Sequence, residues 1–261
     1  MLDTHTHILW NIDDGSKNQC MSVQMLETAA RSGTKAIFAT PHVIERANKP
    51  SWEEIKEKTQ QLRQLCAEAQ IDIMLYPGAE VQMNWELLPE LGATGAYCLN
   101  GGRYLLIELP AAEIPAYADE FWYELELKGI TPILAHPERY QQLRENPDLL
   151  LLWRRRGMLM QCNSGSFTGM FGSSVCENAK VLLANGLVDL LGSDGHRSEG
   201  RNTDMSRAAA VIRQLAGEEV LRQLTETNPQ AILKNQEIEL KQPKVLLEDK
   251  PKSFWQKLFG K

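Results

Sequence analysis

All five histidines of the chain, His5, His7, His42, His136 and His196, sit at or just beyond the end of a short apolar run. His42 follows Ala36-Ile37-Phe38-Ala39-Thr40-Pro41, and His136 follows Ile130-Thr131-Pro132-Ile133-Leu134-Ala135. His196 lies two residues past Asp194, after the run 187–193. Carboxylates repeat the trend: Glu80 closes the run 71–79 and Glu108 closes Tyr104-Leu105-Leu106-Ile107. Ionisable residues are seldom buried without a partner, so those that keep terminating core segments read as ligands. In Asp3-Thr4-His5-Thr6-His7, a strand would put Asp3, His5 and His7 on one face. Two imidazoles so placed can offer lone pairs to one divalent ion.

Apolar periodicity predicts strands over 2–9, 35–40, 71–79, 104–109, 130–135, 158–162 and 188–191. Between and after them, helices are predicted over 20–32, 51–69, 115–128, 147–156, 177–184, 203–215 and 218–224, with a last turn at 229–233. Gly33 stops the first helix, and Ser51 with Glu54 three residues on reads as a capping box. Strand–helix alternation means parallel strands joined by helical crossovers. An open doubly wound sheet gathers its site at one crevice. Here the ligand candidates follow six of the seven strands, which requires the strands to stand in a ring. The expectation is an α/β fold, a distorted seven-stranded (β/α) TIM-like barrel, with its site at the C-terminal ends of the strands.

Residues 1–236 form the expected barrel, and 237–261 a Lys/Pro-rich tail. The tail closes with Phe254, Trp255, Leu258 and Phe259 on one helical face. That helix either docks on a barrel or makes a weak contact with a membrane surface or partner, since it is too short to anchor alone. A formal net charge of −6 argues against nucleic acid as a partner. The cluster Arg154-Arg155-Arg156 falls at a helix end, where dipole and solvation account for it. Five cysteines without a C-x-x-C pair suggest free thiols in a reducing, cytoplasmic setting. No secretory leader is expected with His5 and His7 so near the start, and no apolar run reaches the roughly 18 residues of a membrane span.

The candidate ligands are His5, His7, Asp14, His42, Glu80, Glu108, His136, Asp194 and His196. They exceed the need of one ion and suit two or three if one carboxylate bridges. Mixed imidazole and carboxylate favours manganese, iron or zinc over calcium or magnesium. Clustered ions acidify a bridging water and clamp a phosphoryl oxygen, so the expected chemistry is hydrolysis of a phosphate ester. Arg139 lies three residues past His136 and Arg201 five past His196; guanidinium groups there fit phosphate oxygens. Asn163-Ser164-Gly165-Ser166 could add hydrogen-bond donors or be a plain polar loop. The segment from Cys98 to Arg103 is one residue short of a Cys-x5-Arg phosphate loop, and neither P-loop nor dinucleotide fingerprint occurs.

Eight motifs recur in order from residue 1 to about residue 233. They are Asp3-Thr4-His5-Thr6-His7, Asp13-Asp14-Gly15, Thr40-Pro41-His42, Gly78-Ala79-Glu80, the segment from Tyr104 to Glu108, Ala135-His136-Pro137-Glu138-Arg139-Tyr140, Asn163-Ser164 and Ser193-Asp194-Gly195-His196. The set resembles the polymerase-and-histidinol-phosphatase (PHP) metallohydrolase superfamily. Within it, the chain is most similar to the manganese-dependent protein-tyrosine phosphatases of bacterial capsular and exopolysaccharide loci. The resemblance implies a distorted seven-stranded barrel and three divalent ions, most often Mn2+. One would take His5, His7, Glu80 and Asp194; a second Glu80, Glu108 and His136; the third Asp14, His42 and His196. Arg139 and Arg201 match phosphate-binding positions. Asp14 and Glu108 stand where many superfamily members have histidine, which points to the tyrosine-phosphatase branch.

The implied reaction is attack of a metal-bridging hydroxide on phosphotyrosine. The implied partner is an autophosphorylated bacterial tyrosine kinase of polysaccharide export. The alternatives are a small-molecule phosphomonoesterase such as histidinol-phosphate phosphatase, and a non-catalytic metal-binding regulator acting through the tail. The tail lies outside the resemblance.

Overall fold

In the computed structural model, residues 1–91 and 95–240 are described. Nine short strands occur among them: β1 (Leu2–Thr6), β2 (Ala36–Ala39), β3 (His42–Val43), β4 (Met74–Pro77), β5 (Glu80–Gln82), β6 (Tyr104–Glu108), β7 (Thr131–Ala135), β8 (Leu159–Asn163) and β9 (Leu190–Gly192). They pair in parallel as two sheets, β1-β2-β4 and β3-β5-β6-β7-β8-β9. The six-stranded sheet curls into a half-barrel.

All seven expected segments carry strand, but not as seven continuous strands in one ring. The second and third hold β2 and β4, and each is followed, just past its expected end, by a further short strand, β3 and β5. The breaks fall at Thr40-Pro41 and Pro77-Gly78, and proline has no N–H to give the ladder. Gly78 packs closely there: a Cβ would stand 2.6 Å from Leu99 Cδ2, so a larger residue would displace that side chain. The hydrogen bonds Gly78 N–H to Ala39 O (2.9 Å) and Glu80 N–H to Pro41 O (3.0 Å) carry the two broken strands past their kinks together. Glu80 therefore opens β5 instead of closing a strand. β1 meets the segment just after β9 through an isolated bridge at Thr6 and Gly195, with Asp194 N–H donating to His5 O (2.7 Å) and His7 N–H to Gly195 O (2.9 Å).

The helices are α1 (Gln19–Arg31), α2 (Trp52–Glu68), α3 (Ala118–Leu127), α4 (Gln141–Glu145), α5 (Asp148–Arg155), α6 (Ser164–Phe167), α7 (Ser173–Ala184), α8 (Ser206–Ala216), α9 (Glu218–Arg222) and α10 (Asn228–Leu233). Ser51 caps α2 as expected, its hydroxyl accepting from Glu54 N–H at 3.1 Å. Two departures have local causes. α8 starts at Ser206 and not near 203, because the buried Thr203 hydroxyl donates to Met25 O (2.6 Å) and Asn202 and Asp204 cap successive turns. α7 starts four residues ahead of the expected 177, immediately after the positive-φ Gly172.

The larger apolar cluster lies between strands and helices. A smaller one takes alternate residues, such as Tyr104 and Leu106 of β6 and Leu2, Phe38, Leu159 and Leu190 from other strands. With a period of two, Glu108 continues the face of Tyr104 and Leu106, so this cluster is the floor under the ligand-rich end. Ile238 and Leu240 still pack against it. The amphipathic stretch expected near the end of the tail lies outside the described residues.

Arg154 corrects an expectation. Arg155 and Arg156 are exposed, but Arg154 is buried and binds Asp189 in a two-pronged pair, at 2.6 and 2.9 Å. It also donates to Met158 O and Gly186 O. Consecutive residues point about 100° apart around a helix, so Arg154 can face inward while its neighbour Arg155 faces solvent. Among the described residues, no helix is long and apolar enough to cross a membrane, and none of the five cysteines is in a disulfide.

Candidate active site

Six chain segments deliver the nine candidate ligands to one end of the strands. β1 and the residue after it bring His5 and His7; β3 brings His42, β5 brings Glu80 and β6 ends on Glu108. His136 follows β7, and Asp194 and His196 follow β9. Asp14 comes from the loop after β1, where Gly15 permits contact: a Cβ there would meet His7 O at 2.1 Å. His136 and Asp194 both adopt positive φ, 37° and 52°, a costly backbone for these residues that turns each off its strand end.

Around one point, His5 Nε2, His7 Nε2, Glu80 Oε2 and Asp194 Oδ1 stand apart by five separations of 3.1, 3.1, 3.6, 3.3 and 3.4 Å. Donors about 2.1 Å from the centre of a tetrahedron would lie about 3.4 Å apart. The outer nitrogens are already committed. His5 Nδ1–H donates to Gln161 Oε1 (2.8 Å) and His7 Nδ1–H to Asp13 Oδ2 (2.7 Å). The Nε2 lone pairs of His5 and His7 therefore face each other at 3.1 Å in a buried space. Glu80 Oε2 and Asp194 Oδ1 are buried there without a well-formed hydrogen bond. Facing lone pairs and unpaired carboxylate oxygens are expensive to bury unless a cation lies between them. The donor set fits a divalent ion.

Glu80 is shared. Its Oε1 meets His136 Nε2 at 2.8 Å, and its Oε2 meets His42 Nδ1 at 3.0 Å. His42 Nδ1 also stands 3.4 Å from Glu108 Oε1. On the outer side, Asp14 Oδ1 lies 3.3 Å from His196 Nε2 and 3.7 Å from His42 Nε2. All nine candidates thus come together. The groupings differ from the implied allotment: His42 and not His136 closes on Glu80 and Glu108 together, Asp194 stands outside the group of His5, His7 and Glu80, and His7 joins the Asp14, His42 and His196 group.

Electrostatics agree with a cation-seeking site. Burial opposes charge on His5, yet Glu80 and Asp194 hold its pKa above the ordinary value. Burial would likewise raise Glu80, but His5, His42 and the hydrogen bond from His136 hold it well below. Burial, with His7 beside it, pushes His196 down to about 4, so at neutral pH its ring is uncharged, the form that binds a metal.

Arg139 and Arg201 reach the other side of Asp194. Arg139 donates to Asp194 Oδ2 at 3.2 Å, Arg201 contacts the same oxygen closely, and Asn163 Nδ2 donates to it at 2.6 Å. Asp194 thus divides its oxygens, Oδ1 toward the histidines and Oδ2 toward the guanidinium groups. The segment 163–166 is no loop but the end of β8 and the start of α6: Asn163 holds Asp194, and the Ser166 hydroxyl donates to the buried Glu138 (2.6 Å).

Asp3 shares the motif but not the site. β1 breaks register after it, and its carboxylate accepts from Ser193 N–H (2.8 Å) and His5 N–H (3.2 Å), tying β1 to the turn after β9. Three supports were not read from the sequence: Asp13, Gln161 and Glu138. Asp13 accepts from His7 Nδ1–H, Gly15 N–H (2.8 Å) and His42 N–H (2.9 Å). Its neighbouring carboxylate in Asp13-Asp14-Gly15 was the available signal. Asp13→Asn is expected to lower activity and metal affinity about 10- to 100-fold, the usual cost of losing a ligand's support. Metal titration of the variant followed by assay checks this; wild-type affinity would contradict it.

Beside the cluster lies a cavity of about 420 Å³ lined by His42, Glu108, His136 and Arg139 and walled by Leu109, Pro110, Ile114 and Tyr140.

The family model for capsular polysaccharide synthesis proteins, CpsB/CapC, matches residues 1–234. The chain belongs to this family. The tyrosine-protein phosphatase YwqE of Bacillus subtilis (strain 168) is 35% identical over 238 residues, covering 91% of this chain and 93% of the relative. The tyrosine-protein phosphatase CpsB of Streptococcus pneumoniae is 29% identical over 241 residues, 90% of this chain and 99% of that one. Among solved structures, a chain from the crystal structures of YwqE and CpsB, described as unique metal-dependent tyrosine phosphatases, superimposes with a TM-score of 0.88. It is 33% identical, covering 95% of this chain and all of its own.

Proposed function

We propose that this CpsB/CapC-family chain is a metal-dependent protein-tyrosine phosphatase that uses three divalent ions, manganese first among them. The observation that carries the reading is the shared carboxylate of Glu80, faced by His5, His7, His42 and His136 and flanked through Asp194 by two arginines. The ligands are His5, His7, Asp14, His42, Glu80, Glu108, His136, Asp194 and His196. We read the two sheets as arcs of one distorted seven-stranded barrel, with β1 beside β9. The bound ions supply an acidified water as nucleophile and neutralise phosphoryl oxygens.

The side chains do the rest. Arg139 and Arg201 bind the phosphoryl oxygens and stabilise the charge that grows on them. Asn163 holds Asp194 between the ligands and the arginines. The wall of Leu109, Pro110, Ile114 and Tyr140 takes the aryl ring and keeps water from it. Tyrosine leaves as a phenolate of pKa about 10, so leaving-group protonation matters less than for an alkyl ester. The partner is a phosphotyrosyl protein of the cytoplasm, a tyrosine kinase that controls capsule or exopolysaccharide synthesis.

The test is hydrolysis of a phosphotyrosyl peptide by metal-stripped protein before and after manganese is restored. Turnover that appears only with the metal supports the reading. Turnover of histidinol phosphate but not the peptide would make the enzyme a small-molecule phosphomonoesterase, and metal binding without turnover would make it a regulator.

A further inference from the structure

Two guanidinium groups converging on one carboxylate oxygen pose an electrostatic problem. Asp194 carries one negative charge against two positive ones, and its other oxygen faces His5 and His7. Arginine side chains about a third exposed, 32% for Arg139 and 29% for Arg201, would be expected to swing apart into water. Their common feature is Phe171. Its ring centroid lies 4.7 Å from the Arg139 guanidinium carbon and 5.6 Å from that of Arg201. Both fall within the roughly 6 Å over which an aromatic face attracts a cation.

The ring is itself held. Residues 168–172 form a tight turn between α6 and α7, with Gly169 and Gly172 at positive φ and Met170 N–H donating to Gly165 O (3.0 Å). Phe171 rests on α6 at Gly165, where a Cβ would stand 3.1 Å from its ring and 2.9 Å from Met170 Sδ. The turn is thereby fixed against the element that follows Asn163, the residue that orients Asp194. Arg201 Nε is buried without an acceptor, so the clamp keeps a donor in reserve for an incoming anion.

We propose that Phe171 is a positioning residue for phosphate: its ring braces Arg139 and Arg201 together, aimed inward, before substrate arrives. The proposal rests on the phosphatase reading above. Bracing lowers the ordering cost that binding would otherwise incur. It acts on phosphate affinity, with little effect on the chemical step.

The experiment uses the full-length, manganese-loaded protein and compares wild type with Phe171→Leu, Phe171→Met and Phe171→Tyr. Calorimetry gives the Kd for inorganic phosphate, steady-state kinetics on a phosphotyrosyl peptide give KM and kcat, and thermal melts without phosphate report folding. With the aromatic face gone in the Leu and Met variants, Kd and KM rise on the order of tenfold, kcat changes less than about threefold, and metal content and Tm stay at wild-type values. Phe171→Tyr keeps the face and retains wild-type Kd. The proposal fails if the Leu and Met variants bind phosphate as wild type does, or if the Tyr variant loses as much as they do. A wild type that neither binds phosphate nor turns over the peptide would overturn the phosphatase reading and the clamp together; an active wild type matched by Phe171→Leu overturns the clamp alone.

Discussion

Glu80→Gln is expected to remove phosphotyrosine hydrolysis by at least about 10³-fold, more than the loss from a single transition-state donor. The exchange barely alters size, so the loss comes from charge and donor character. Glu80 Oε1 meets His136 and Oε2 meets His5, His7 and His42. An amide offers one acceptor where two are needed, and its NH2 would face imidazole nitrogens that must themselves remain lone-pair donors. The carboxylate is also the main neutraliser of the centre, held ionised by the imidazoles around it despite complete burial. Assay at saturating manganese, with metal content measured alongside, should show activity and bound metal falling together. A variant that keeps full metal and more than a tenth of wild-type activity would show that Glu80 is not a shared ligand.

Most of the candidate ligands were legible because they end or follow an apolar run, and a run that stops on a histidine or carboxylate shows in one dimension; Asp14, in a polar loop, was read only from its motif. The count of continuous strands was less so. Pro77 lies within a run whose apolar character does not stop and Pro41 just past one, and only the pairing shows β2 passing into β3 and β4 into β5. The supports are hidden for another reason. Gln161 is an ordinary strand residue until the fold brings its amide to a histidine 156 positions away, on a strand it does not pair with. Phe171 is a half-buried aromatic in a turn, and its meaning depends on two arginines from other loops. Arg154 shows the limit of composition: three consecutive arginines look alike in sequence, and a partner 35 positions on, just ahead of β9, decides which one is buried. Chemistry carried by residue type is readable locally, whereas chemistry carried by pairing waits for the fold.

Arg139→Ala and Arg201→Ala are each expected to lower kcat/KM for a phosphotyrosyl peptide about 10²- to 10³-fold, the range for losing one preorganised donor to a charged transition state. Each is expected to leave bound manganese unchanged, because the oxygen of Asp194 that faces the histidines is Oδ1 and both arginines use Oδ2. The double variant should fall by less than the product of the two measured single losses, since residues that share a partner are not additive. Once one guanidinium is gone, the other holds Asp194 Oδ2 alone and is less free to turn to phosphate. Lysine at either position should recover only part of the loss, because a point charge replaces a planar two-pronged donor. The double-mutant cycle on kcat/KM decides the matter. Strict additivity would mean that the two arginines act at separate phosphoryl oxygens with no common anchor, and that Asp194 serves the metals alone.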